Sequence, residues 1–366
     1  FHSSKASTVA IGKTLSKASC ETSTGTSIPI DPNSFGNGEM GGNLEGLPGG
    51  GCLFGDNLGS KIVESICSNK NDQSQVFTSW LEVGHVDEIF KITPGNIKQG
   101  IPKECNFTIN VASPMKALEI LEKSPSKLLL EPPPPGVSED VYYDNRSRKL
   151  CQIYRRIPPQ KGPSDTIPAP GTDLPSKVKG VLNYIIPNNA HAGVGRGSMP
   201  SLIVCNKDTL KNMTNKQFID GIKNSPRLLE LNKVIEETMK KNLEKVIETI
   251  SYRLPQCIDH LDIMKVPDFF YSPWPKSKII EKNGAKELAK DGDSLSFFPS
   301  PTNGVFLNKT MIYSDNEIPV FKNYLKNQMK KRGNKTSFVR TYEYSHMGKG
   351  NLHCSTHTIP FCRPRN

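Results

Sequence analysis

Apolar and polar positions alternate most clearly in CNFTINVAS, residues 105–113, where Phe107, Ile109 and Val111 fall two apart. That period predicts a half-buried strand. PMKALEILEKS follows with apolar residues at helical spacing behind a proline, a residue suited to a first helical turn. Between 226 and 250, Leu228, Leu231, Val234, Ile235, Met239, Leu243, Val246 and Ile250 fall on one stripe, which predicts a long helix with that stripe in the core. IPVFKNYLKNQMKKRG reads as a further helix, ended by glycine. GCLFGD, SQVFTSWLEVGHVDEIFKI and KTSFVRTYEY are β-like. SLSFFPSPTNGVFLNKTMIYSD reads as two strands joined through a turn at Thr302, Asn303 and Gly304. SHMGKGNLHCSTHTIP reads as a glycine-bearing loop leading into a last strand. The order strand, helix, strand predicts an α/β fold. No periodic repeat is visible.

Two stretches break the pattern. Residues 1–40 are rich in Ser, Thr and Gly and read as an irregular lead-in. Residues 131–180 contain EPPPPG, RIPPQKGPSD and IPAPGTDLP, which read as a Pro-rich surface insertion or linker, largely extended. The remainder, 41–366, reads as one large domain.

Composition narrows the class. Hydrophobic residues make up 35% of the chain, enough for a core, and no run of eighteen apolar residues suggests a membrane span. The net charge of +11 predicts a solvated Lys-rich surface, with nucleic-acid binding the weaker alternative because aromatics do not interleave with the lysines. None of the nine cysteines forms a C-x-x-C pair, which argues against a zinc ribbon or a thioredoxin-type site. An odd count leaves at least one thiol unpaired or joined to another chain. Five N-x-[ST] sequons, at Asn106, Asn145, Asn212, Asn308 and Asn334, together with the cysteines, predict a secreted, glycosylated protein. The first residue is Phe rather than Met, which predicts a mature or cut chain.

Two stretches carry candidate chemistry. In LEVGHVDE, residues 81–88, His85 and Asp87 stand two apart after a glycine. In a strand that spacing puts both on one face. They are either a satisfied polar pair at a strand end or an acid–base and charge-binding pair. In GKGNLHCSTHTIP, Cys354 follows a Gly-Lys-Gly turn with Lys349, His353 and His357 nearby. A polar, glycine-flanked loop suits a nucleophilic thiolate, and a disulfide to Cys362 or elsewhere is the competing reading.

Taken together, WLEVGHVDE, LHCSTHTIP and GGNLE resemble the protein-arginine deiminases. The likeness runs from about residue 33 to the end, interrupted by the Pro-rich insertion. CLFGD, INVASPMKALEILEK and SFFPSPTNGVFLNKTMIYS add weaker support. The resemblance implies a pentein fold, an α/β propeller of ββαβ-like modules, and makes 41–366 a deiminase-like catalytic domain. It implies hydrolysis of arginine, peptidyl rather than free where the site is open, to citrulline and ammonia through a thiouronium intermediate. Carried over, Cys354 is the nucleophile, His85 protonates the ammonia and activates water, and Asp87 holds two guanidinium nitrogens. It also implies a calcium site: Glu45, with the carbonyls of Gly41 and Leu44 in GGNLE, would supply oxygen ligands, although the same stretch reads equally as a plain glycine-rich loop. No organic cofactor is implied.

The chain departs from the family pattern as well. The earlier tryptophan and acidic cluster, which supplies a second guanidinium-binding aspartate, has no counterpart in residues 1–40. An upstream fragment of the same precursor is therefore expected to stay bound and complete the site. A pentein-fold binding or structural protein without activity is the alternative, and a cysteine hydrolase using Cys354 and His85 is a third.

Overall fold

A strand–strand–helix–strand unit occurs three times among the residues that the computed structural model describes, 42–95, 100–156, 207–272, 279–290, 292–342, 345–346 and 350–353. In the first unit β1 (Leu44–Gly46) pairs antiparallel with β2 (Cys52–Gly55). Helix α1 (Ser60–Ile66) then crosses to β3 (Gln73–Val76), parallel to β2. The second unit repeats this with β4 (Phe90–Pro94) antiparallel to β5 (Phe107–Ser113) and β6 (Asp262–Pro267) parallel to β5. Its crossover holds α2 (Pro114–Glu122), α3 (Glu139–Arg156), α4 (Lys207–Lys211), α5 (Asn215–Lys223) and the long α6 (Pro226–Arg253). Short strands follow: β7 (Phe270–Tyr271), the hairpin β8 (Ile279–Lys282) with β9 (Ala285–Leu288), and β10 (Leu295–Ser296), which pairs with β7. The third unit is β11 (Val305–Leu307), β12 (Thr310–Ser314), helix α7 (Pro319–Lys331) and β13 (Lys335–Val339). A parallel partner requires a crossover, and a helix packed on the sheet is the usual carrier. The architecture is mixed α/β in small sheets of two or three strands, with no closed barrel among the described residues. No helix among them is long and apolar enough to cross a membrane.

The periodic segments fold as their patterns predict. The central strand β5 has neighbours on both sides, and all seven of its residues are buried. Ser113 caps α2 by accepting the Lys116 N–H at 3.1 Å, with Pro114 in the first turn. The α6 stripe is buried throughout except for the half-buried Leu243. Two asparagines interrupt that apolar face. Asn232 accepts from Phe270 N–H at 3.0 Å and donates to Phe270 O at 2.9 Å. Asn242 does the same to Phe77, at 2.9 and 3.0 Å. Each side-chain amide stands in for a missing strand partner, so that buried backbone groups stay satisfied.

Three expectations are corrected. First, the segment between β3 and β4 is not strand: it is loop and one short turn of 3-10 helix. Second, Thr302, Asn303 and Gly304 do not join two strands of a hairpin; Asn308 and Lys309 do, at φ 48 and 61. A two-residue hairpin loop favours this doubly left-handed turn because its twist matches that of the strands. Third, the Pro-rich stretch is not extended throughout, because residues 139–156 form α3. Its prolines lie to either side of a helix that buries Tyr142 and Tyr143 in the core. Arg146 of α3 is also buried and holds Glu317 with two guanidinium nitrogens, one at 2.5 Å. The guanidinium stacks on Tyr142 at 3.6 Å and on Tyr342 at 4.6 Å. That pair ties the insertion to the chain that follows β12.

Disulfides join Cys52 to Cys67 and Cys105 to Cys257. The first spans β2 and the end of α1, and the second spans the turns that precede β5 and follow α6.

Lys309 occupies a conformation that suits glycine, at about 1 kcal/mol for an L side chain. Lys309→Gly, which creates Asn-Gly in the turn, is expected to raise the unfolding free energy by about 0.5 kcal/mol, read from the urea midpoint. An unchanged or lower midpoint would show that the turn is not built this way.

Candidate active site

The chain reaches His85 through a loop fixed on its polar side. Asp56 accepts the N–H groups of Thr78 and Ser79, both at 2.9 Å, and the Ser79 hydroxyl at 2.8 Å. Gly84, at φ 78, then turns the chain where a Cβ would lie 2.2 Å from Asn57 Nδ2. His85 is extended and precedes the 3-10 turn Val86–Glu88. Asn43, fully buried, holds the turn from the other side: its Oδ1 accepts from Val86 N–H and Gly55 N–H, both at 3.1 Å.

His85 and Asp87 thus come together in a turn rather than on a strand face. Gly42 shows how closely. A Cβ there would stand 2.8 Å from both His85 Nδ1 and Asp87 Oδ2, so those two atoms are at most twice that distance apart. Gly42 O also accepts the Asp87 N–H at 3.0 Å. Asp87 is fully buried, and His85 nearly so. Glu88 Oε1 accepts the His85 N–H at 3.0 Å. Burial, then the neighbouring Asp87 charge, pushes the Glu88 carboxyl up to about 8, so it carries a proton at neutral pH. Because the folded state holds this proton more tightly, the contribution of Glu88 to stability falls as pH rises from its ordinary range through about 8. Burial likewise pushes Asp268 to about 7; its Oδ2 accepts from Ser296 at 3.0 Å.

The carboxy-terminal segment arrives at the same place. Ser300 N–H donates to Asn351 Oδ1 at 3.0 Å, Ser345 Oγ to Asn351 O at 2.9 Å, and Leu352 N–H to Ser314 Oγ at 3.0 Å. His353 N–H donates to Asn303 Oδ1 at 2.9 Å. So held, His353 places its Nδ1 2.6 Å from Asp87 Oδ2. Cys354 lies outside the described residues, as do Lys349 and His357. Its covalent neighbour touches the carboxylate beside His85. A buried carboxylate and an imidazole at one turn, joined by the segment that carries a thiol, can bind a cationic planar group and move a proton at it.

Of the calcium ligands expected from GGNLE, only Leu44 and Glu45 fall among the described residues. Gly41 lies outside the described residues. Leu44 and Glu45 lie on β1, and the Glu45 carboxylate is ion-paired with Lys91 Nζ at 2.5 Å, the side chains only 12% and 9% exposed. Calcium takes six to eight oxygen ligands. Here the carboxylate faces an ammonium, and no group of three or more His, Cys, Asp and Glu side chains among the described residues could hold a metal. This arrangement does not fit a calcium ion.

The protein-arginine deiminase family model matches residues 60–362. The chain belongs to the protein-arginine deiminase family. The match spans His85, Asp87 and Cys354 and begins after Glu45. No curated protein matches the chain. Protein-arginine deiminases modify guanidino groups by hydrolysis, and the described residues of this chain are mixed α/β in small sheets.

Several site residues were not singled out in the sequence. Gly42, Asn43, Glu88 and Asn303 carry no chemical signature of their own. Only the glycine pair at 41–42 hinted at a close backbone approach.

Gly42 has φ +117 and no room for a side chain. Gly42→Ala is expected to cost on the order of 2 kcal/mol in denaturant unfolding. Gly46→Ala, where nothing lies within 4 Å, is the control and should be near neutral. Equal effects at the two positions would contradict this packing.

Proposed function

We propose that this chain hydrolyses the guanidinium of peptidyl arginine to citrulline and ammonia through a covalent intermediate on Cys354. The observation that carries the reading is the contact of His353 with Asp87, which ties the residue before Cys354 to the carboxylate beside His85. A guanidinium is planar, and its paired N–H donors match a carboxylate. Asp87 takes two of them, and the His353 imidazole gives way. The Cys354 thiolate then adds to the guanidinium carbon. The bond to one terminal nitrogen breaks, and that nitrogen leaves as ammonia with a proton from His85. His85 next takes a proton from water as its oxygen adds to the same carbon. The C–S bond breaks, the thiolate returns, the hydroxyl on the carbon gives its proton to solvent and citrulline departs.

The family match supports a peptidyl substrate. The three ββαβ units support the pentein fold, whose propeller closure is part of this proposal. The second guanidinium-binding carboxylate is assigned to an upstream fragment of the same precursor, on the departure noted in residues 1–40. Two disulfides support passage through an oxidising compartment and hence secretion.

Native protein, together with any upstream fragment that copurifies with it, is expected to form citrulline from an arginine peptide. Cys354→Ser should keep its denaturation midpoint and lose at least ~10³-fold in rate. No citrulline from the wild type, or an undiminished Ser variant, would refute the assignment. Glycopeptide mapping of secreted protein should find glycans at the exposed Asn212 and at Asn308 on its hairpin tip. Asn334 should be bare, being 9% exposed with its amide donated to Pro94 O at 2.9 Å. A glycan on Asn334, or none at any sequon, would overturn this.

A further inference from the structure

The Lys91–Glu45 pair is the least expected charged contact near the candidate site. Lys91 lies on β4, four residues beyond Asp87 in the segment that leaves the His85 turn. Glu45 lies on β1, two residues beyond Asn43, which holds that turn. Neither side chain is at the surface, and their charged atoms are 2.5 Å apart. A lysine side chain only 9% exposed is rare unless it has a charged partner. Both strands are fixed by their sheets: Glu45 faces Leu53 in the register of β1 with β2, and Lys91 faces Asn110 in that of β4 with β5. The Asn110 amide also donates to Lys91 O at 2.8 Å.

We propose that the Lys91 ammonium is the resident cation of this region, standing at the glutamate to which the family resemblance assigns calcium, so that the His85–Asp87 turn is assembled without a divalent metal. A tethered ammonium brings one positive charge and three donors. It needs no shell of six or more oxygens, and its occupancy does not depend on an ion concentration. The nearby carbonyl of Gly42 is committed to the Asp87 N–H, which joins this region directly to the site. The pair therefore does two things. It neutralises Glu45, and it braces β1, with Gly42 and Asn43 just before it, against β4, which leads away from Asp87. Lys91 is a positioning residue, because it acts through β1 and β4 and touches no reacting atom. The relevance to turnover rests on the deiminase reading; the cation assignment does not.

The experiment is thermal unfolding of the full chain in EGTA and in millimolar calcium chloride, with isothermal titration of calcium alongside. The wild type should show the same Tm in both and no heat of binding. Lys91→Met, which keeps the length and removes the charge, and Glu45→Gln should each lower Tm by several degrees. The double variant should fall less far than the two single losses combined, since the interaction can be lost only once. Where the deiminase reading holds, the rate of citrulline formation should be equal in EGTA and calcium. A wild-type Tm that rises by several degrees in calcium, or a measurable calcium heat, would overturn the proposal, even if the Lys91 variants do not fold. Unchanged stability in Lys91→Met would also overturn it. Absence of citrulline under every condition would defeat the deiminase reading, with the Tm and heat measurements still deciding the cation.

Discussion

A carboxylate with no exposed surface has to be met by donors or carry a proton, and Asp87 is such a carboxylate. Three distant parts of the chain converge to meet that demand. Gly42 supplies a backbone without a side chain, the 81–88 turn presents the carboxylate, and His353 brings an imidazole. The neighbouring Glu88 avoids a second buried charge by holding a proton. Much of the surrounding hydrogen bonding, at Asn43, Asp56, Asn303 and Ser314, serves to aim these segments at one point. The same contact sets a competition in the proposed reaction. In that proposal a guanidinium takes the oxygen that His353 faces, so that its binding displaces the His353 imidazole.

Local periodicity was legible wherever burial followed one face. Strand Phe107–Ser113, helix Pro114–Glu122 and the stripe along Pro226–Arg253 stand where their patterns placed them, because each packs one continuous apolar face on a sheet or a core. The ββαβ repeat, implied by the family resemblance, was not legible in the periodicity. Its strands are three to seven residues long, and the second crossover runs from Ser113 to Asp262, far longer than the other two. That excess hides a common plan from any search for a fixed period. The helix at Glu139–Arg156 was hidden differently, by prolines on both sides whose composition outweighed the tyrosines and the arginine that anchor it.

The candidate site divides the same way. His85 and Asp87 were found through their spacing and their likeness to a family, and they do lie together. The reason was not strand alternation but a 3-10 turn closed by Glu88 and backed by Gly42. What escaped were partners far apart in sequence. Nothing near Lys91 announces that its ammonium meets Glu45, and Asn303, read as a turn residue, instead receives His353. A side-chain pair across two sheets has no period and no local motif, so it becomes visible only when the strands are in register.

The bond between Cys105 and Cys257 has a topological consequence. It makes residues 105–257 a covalent ring with a tail at each end, and the whole Pro-rich insertion lies inside the ring. A single protease cut in the insertion opens the ring without releasing anything: the part bearing His85 and the part bearing Cys354 remain one molecule, joined through sulfur. The two would part only where that bond is reduced. Such a nicked molecule would stay one covalent species until it met a thiol reductant.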